Sequence, residues 1–263
     1  MFARHLSLSA RKKTKESIKE KIIEKSKKQQ SAILDYRTEL LENTLRNENF
    51  DRPQYQHALR MLNTLNPDHK NVIEFGAGRG EFARLLREKG YNVFFTDINP
   101  ENVKWAKDNG FNALHLDANE KLNQFTDQQF DGAIMLEVIE HIPKKTESIF
   151  FREVRRVLKK KGNLFLSTPN DHLMVKLFDP AWYFGHRHYN HKELRKIAEK
   201  ERLQTKTYQI SGAWWSILGL INMYVAKWVF GRRKFLENFF EEKELKESQS
   251  SGFMNLFMAF EKK

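Results

Sequence analysis

From residue 71 onward the chain alternates short apolar runs with amphipathic segments, and this alternation restricts the fold more than any other feature. NVIEF (71–75), YNVFFTD (91–97), FNALHLD (111–117), FDGAIML (130–136) and NLFLSTP (163–169) read as strands. Between them, EFARLLREKG is helical and stops at Gly90. PENVKWAKDNG (100–110) has Pro100 at its start and Gly110 past its end. SIFFREVRRVLKKKG (148–162) is an amphipathic helix with cations in its last turn before Gly162. HKELRKIAEKER (191–202) is a further helix, LQTKTYQI (203–210) a strand, and GFMNLFMAFEKK (252–263) a closing strand. Strands separated by helices at this spacing predict an α/β fold around a parallel sheet.

The 263 residues suffice for one large domain with appendages, and the absence of cysteine excludes a disulfide scaffold and Cys-ligated metal sites. Residues 1–50 read as a basic N-terminal helical extension and 51–263 as the domain. The first thirty residues hold ten Lys/Arg against Glu16, Glu20 and Glu24, with too few apolar residues to pack. No apolar secretory leader is seen, and the acid-free first fifteen residues leave mitochondrial targeting open beside a cytoplasmic, membrane-peripheral location. A net charge of +12 favours anionic partners: nucleic acid, anionic lipid or acidic substrates.

The sequence VIEFGAGRGEF places Glu74, Gly76, Gly78 and Gly80 at the first strand-to-helix turn, where a cofactor must lie against bare backbone. A GxGxxG dinucleotide loop would need glycine where Glu81 stands, and the Gly-Lys-Ser/Thr of a P-loop is absent. Asp97 closes the second strand, where a carboxylate can accept both hydroxyls of a ribose, and Asp117 closes the third. The E-x-G-x-G-x-G spacing with these acids resembles the class I S-adenosylmethionine (SAM) methyltransferases. That resemblance implies a Rossmann-like seven-stranded sheet of order 3-2-1-4-5-7-6. It also implies a loop against the amino-acid part of SAM, Asp97 on the ribose and Asp117 on the adenine amino group. Ile98, Ala118 and Leu136 complete the implied cofactor set.

After the fourth strand, Glu137, Glu140 and His141 stand at i, i+3 and i+4, which predicts one helical face. STPN (167–170) borders the same cleft. The stretch from LEVIEHIP to STPN is similar to the ubiquinone-biosynthesis O-methyltransferase group and to small-RNA 3′-terminal 2′-O-methyltransferases. In both, such a Glu-x-x-Glu-His set can hold a divalent metal. Two carboxylates and an imidazole suit Mg²⁺, Mn²⁺ or Zn²⁺, while a metal-free site would use His141 as a base or structural residue. His186 and His188 of FGHRHYNH are further candidate bases or ligands, and His191 a candidate helix cap. Residues 171–184 read as a loop-like apolar lid.

Residues 213–230 are apolar with one charge, Lys227, and open an insert (213–246) before the last strand. The resemblance implies that the strands on either side, 203–210 and 252–261, pair antiparallel, which excludes a single membrane span between them. A lid, a homodimer contact and a helix lying in a membrane interface remain, the last favoured by Trp214, Trp215, Tyr224 and Trp228 with Arg232, Arg233 and Lys234. The resemblance implies SAM-dependent O-methylation of a small-molecule or lipid-linked acceptor. RNA-end methylation, glycan methylation and a non-catalytic membrane scaffold stay open as alternatives.

Overall fold

The computed structural model describes residues 52–62, 70–118, 122–183, 185–231 and 234–263. All belong to one compact unit, Phe50–Lys263. The basic extension and the reading made of it lie outside the described residues. The elements are α1 (Pro53–Leu62), β1 (Asn71–Phe75), α2 (Glu81–Glu88), β2 (Asn92–Asp97), α3 (Pro100–Asp108) and β3 (Asn112–His115), then β4 (Phe130–Leu136) and a 3₁₀ turn (Ile139–His141). They continue as α4 (Glu147–Val157), β5 (Leu158–Pro169), α5 (Leu173–Phe178), α6 (Pro180–Tyr183), α7 (His191–Lys200) and β6 (Leu203–Ser211), and end with α8 (Trp214–Phe230), α9 (Glu237–Ser248) and β7 (Asn255–Lys262).

The seven strands form one sheet of order β3-β2-β1-β4-β5-β7-β6, as the family resemblance implies. All pairs are parallel except those of β7, which runs antiparallel to β5 and β6. Side chains alternate across the sheet, and the core divides accordingly. Ile73, Ala133, Met135, Leu164 and Leu166 pack with Phe150, Phe151 and Val154 of α4 and with Leu194 of α7. Val72, Ile134 and Phe165 pack on the other side with Leu59 of α1, Phe82 and Leu86 of α2 and Ala106 of α3.

Four local expectations give way. The helix read to Gly162 ends at Val157, and residues 158–162 belong to β5. Leu158 is buried and pairs with Phe130, and Lys159 reaches the buried carboxylate of Asp131 at 2.8 Å, so strand pairing outbids helix continuation. Residues 171–184 are not a loop but contain α5 and α6. His172 accepts from Met174 N, Asp179 accepts from Ala181 N at 2.9 Å, and Pro180 opens α6, so both short helices are capped. His191 is not a cap: Asn190 caps α7 by accepting from Glu193 N at 3.0 Å, while His191 stacks on Tyr208. The helical turn read over Glu137–His141 is a 3₁₀ turn of Ile139–His141, with Glu137 outside it.

The insert is a helical hairpin of α8 and α9. No local side chain caps α8; Glu247, on α9, accepts from Ala213 N at 2.6 Å, Trp215 N at 2.9 Å and Ser216 N at 3.0 Å. Burial works against the Glu247 charge, yet these donors hold its carboxyl below the usual range. Farther along, Lys234 pairs with Glu244 at 2.9 Å. The Glu244 carboxylate lies against the backbone of Gly219, where any Cβ would collide with it. Among the described residues, no helix is long and apolar enough to cross a membrane.

Candidate active site

β1 and β4 are neighbours at the centre of the sheet, and their carboxyl ends open the crevice in which such sheets take ligands. Beyond Phe75 the chain turns through Gly76 (φ 61°) and Gly78 (φ 57°), left-handed values that glycine adopts without steric cost. A Cβ on Gly76 would meet Val138 Cγ2 at 2.5 Å, whereas one on Gly78 would meet nothing within 4 Å. Gly76 therefore packs the loop onto the chain leaving β4, and Gly78 leaves its outer side clear.

Asp97 is buried at the end of β2 and ties this loop down. Its Oδ2 accepts from Gly78 N at 2.7 Å and its Oδ1 from Asn99 N at 2.7 Å. Each oxygen keeps a second lone pair for a ligand hydroxyl. Glu74 is buried behind the loop, and its Oε2 has no hydrogen-bond partner among the described residues. Burial, then the nearby Asp97, push its carboxyl up to about 8. An orphaned carboxyl oxygen beside an uncovered glycine turn fits the charged amino end of an amino-acid ligand. Ile98, next to Asp97, is 60% exposed and offers an apolar platform. Leu116 N donates to Asp97 O at 3.0 Å, so Asp117 and Ala118 leave the sheet beside it, two residues past β3. Leu136 ends β4 half-buried.

Glu137 follows with φ 55°, a conformation that costs a non-glycine residue about 1–3 kcal/mol and collects at functional sites. Ser167 holds it there: Glu137 N donates to Ser167 O at 3.1 Å, and Ser167 Oγ donates to Glu137 Oε1 at 2.5 Å. Glu140 is buried and accepts from Thr168 Oγ1 at 3.0 Å. Burial pushes both carboxyls up, and Glu137 repels Glu140 further. His141 meets His186 edge to face, ring centres 4.3 Å apart. Burial, then His186 and Arg187, lower the pKa of His141, which favours the neutral imidazole.

Glu137, Glu140, His141 and His186 line one side of a cavity of about 330 Å³. Leu220, Met223 and Tyr224 of α8 line it from the insert. Glu137, on the cavity wall, directly precedes Val138, whose side chain packs on Gly76, so one residue separates this wall from the contact with the glycine turn. His188 is not brought to it. Its side chain is fully buried, with Nε2 3.0 Å from Oδ2 of Asp179, so it supports a wall of the cavity rather than facing in. The metal set also fails to assemble. Among the described residues no group of three His, Asp or Glu side chains is placed to hold an ion. The turn is 3₁₀, and one oxygen of each carboxyl is held, Glu137 by Ser167 and Glu140 by Thr168.

Sequence reasoning missed Asp179 and the Arg187–Glu147–Tyr189 group. Asp179 lines the cavity, and its place before Pro180 is a local N-cap signal. Arg187 donates to Ile139 O at 2.9 Å and pairs with buried Glu147, which also accepts from Tyr189 Oη at 2.6 Å. This clamp fixes the His186 segment against the His141 turn.

The sequence profile of a methyltransferase domain matches residues 46–203, more than half of the chain. The chain belongs to the methyltransferase-domain family. Membership implies SAM, and the open side of Gly78, the orphaned Glu74 oxygen and the free lone pairs of Asp97 fit that cofactor. Among curated methyltransferases, the ubiquinone biosynthesis O-methyltransferase of Xanthomonas oryzae pv. oryzae is 30% identical over 140 residues, 48% of this chain. The match spans 58% of that relative's length. The enzyme of the same name from Rickettsia bellii is 28% identical over 182 residues, 64% of this chain and 72% of the relative. The fold matches a SAM-dependent methyltransferase from Archaeoglobus fulgidus with a TM-score of 0.56 at 19% identity, over 80% of this chain and 94% of that one. The family match ends before the α8–α9 hairpin.

Within this methyltransferase site, Asp97→Ala is expected to weaken SAM binding by at least about tenfold. It removes charge-assisted acceptors that contribute about 1.5–3 kcal/mol each and releases Gly78. Calorimetry with SAM reads the effect, and an unchanged Kd would take Asp97 out of the site.

Proposed function

We propose that the protein transfers the methyl group of SAM to an oxygen of a small-molecule or lipid-linked acceptor. The observation that carries this reading is the cavity itself, with a pair of histidines and two neutral-leaning carboxyls on a wall that adjoins the glycine turn. The names of the two O-methyltransferase relatives support oxygen as the acceptor atom.

SAM, when bound, supplies a methyl group on a cationic sulfur, open to in-line attack. The chain's own work is to position the acceptor and to take its proton. His141, favoured neutral, accepts the hydroxyl proton on its imidazole, and the edge of His186 fixes the ring. Protonated Glu137 or Glu140 can donate a hydrogen bond to a second acceptor oxygen. Leu220, Met223 and Tyr224 hold the apolar part of the acceptor and exclude water.

The test is incubation of cell extracts with the protein and methyl-labelled SAM, followed by untargeted mass spectrometry. The expected product carries the label on an oxygen of an organic acceptor. Label on nitrogen or carbon would overturn the oxygen assignment, and a failure to bind SAM would overturn the whole reading.

A further inference from the structure

The outer side of α8 remains uncovered. Trp214, Leu218, Val225, Trp228 and Val229 recur at helical spacing along one face, and each is exposed. Exposure is greatest at the distal end, where Trp228 is 60%, Val229 69% and Phe230 60% exposed; Leu236, just before α9, reaches 73%. α5 continues the surface, since its Val175 packs against Ile217 while Leu173 and Leu177 point outward. An apolar surface of this continuity marks an interaction site.

Charge decides what it fits. The segment KWVFGRRK (227–234) supplies four cations and no acid around its apolar residues. Lys227 is exposed, Lys234 is tied to Glu244, and Arg232 and Arg233 lie outside the described residues. Tryptophan beside a basic run, with apolar side chains between them, suits the boundary between headgroups and acyl chains.

We propose that the distal end of α8 docks the protein on an anionic lipid surface, lying in the interface without crossing it. The apolar residues enter the acyl boundary, and exposed Lys227 beside them adds attraction that salt screens. The face of α8 that carries Leu220, Met223 and Tyr224 lines the cavity, so the docked helix stands between lipid and cavity. The inference holds whatever the acceptor.

The experiment is co-flotation of the full chain with phosphatidylcholine vesicles and with mixed phosphatidylcholine–phosphatidylglycerol vesicles, at low and raised salt. Binding is expected to the mixed vesicles, weakening with salt. The combined variant Trp228→Ser, Val229→Ser and Phe230→Ser, which changes only exposed positions, is expected to lose at least about tenfold in partition. Its SAM affinity, measured alongside, should stay unchanged and shows that it is folded. Equal binding by the variant would assign lipid attraction to other basic segments, the first thirty residues included, and overturn the proposal. So would a wild-type protein that stays soluble at low salt. If that protein also sediments as a dimer that the variant dissociates, the face is a contact between copies.

Discussion

His141→Ala is expected to lower kcat by about 10²- to 10⁴-fold, the range for loss of a positioned general base. The wild-type pH profile carries the sharper sign. A base acts only when unprotonated, so activity falls as pH drops through its pKa. Burial, His186 and Arg187 all press the His141 value below that of an ordinary histidine. The acidic limb should therefore lie below the usual histidine range, with a plateau through neutral pH. In the alanine variant that limb should vanish together with the rate. Steady-state kinetics across pH, with SAM saturating, reads both. A variant that keeps the limb would move proton acceptance to His186.

Glu147→Ala should cost about 3 kcal/mol of folding stability, the low end for breaking a buried ion pair. Glu147 is almost fully buried, but the Arg187 side chain is 26% exposed, so water partly rescues the guanidinium left behind. Tyr189 loses its acceptor at the same time. Glu147→Gln keeps an acceptor for Tyr189 and should cost less. Urea denaturation measures the difference. Because Arg187 also holds the carbonyls of Ile139 and Glu140, the alanine variant should lose kcat as well, while SAM affinity should hold, since the Gly78–Asp97 bond does not involve the clamp. Equal stability of all three proteins would dissolve the clamp.

The parts of this molecule that showed in the sequence are those whose signals are local. The glycine turn, Asp97 and the strand alternation each occupy a few consecutive residues, and backbone sterics and side-chain period act over that range. The STPN stretch at the end of β5 was legible as a border of the cleft for the same reason. The 3₁₀ turn was not. Glu137 sits at positive φ because Ser167, thirty residues away, bonds both its N–H and its carboxylate. Periodicity alone offered an α-helical turn and so a ligand triad that the chain does not assemble. His188 was read as a candidate base or ligand because its partner, Asp179, lies nine residues back, between α5 and α6. Glu247 gave no sign of capping α8, since its acceptors and the donors it serves meet only once the hairpin closes.

The neck of that hairpin carries a consequence of its own. Gly212 O accepts from Phe253 N and Met254 N at 2.9 Å, and Gly252 N donates to Ile210 O at 2.9 Å, with the backbones of Gly212 and Gly252 too close for any side chain between them. The insert thus leaves and rejoins the sheet at one point, between strands already paired from Ser211 to Asn255. A segment attached so narrowly is an exchangeable cartridge. Selection, or a protein engineer, can replace it wholesale and so change the cavity wall at Leu220, Met223 and Tyr224, while the glycine turn and Asp97 stay as they are.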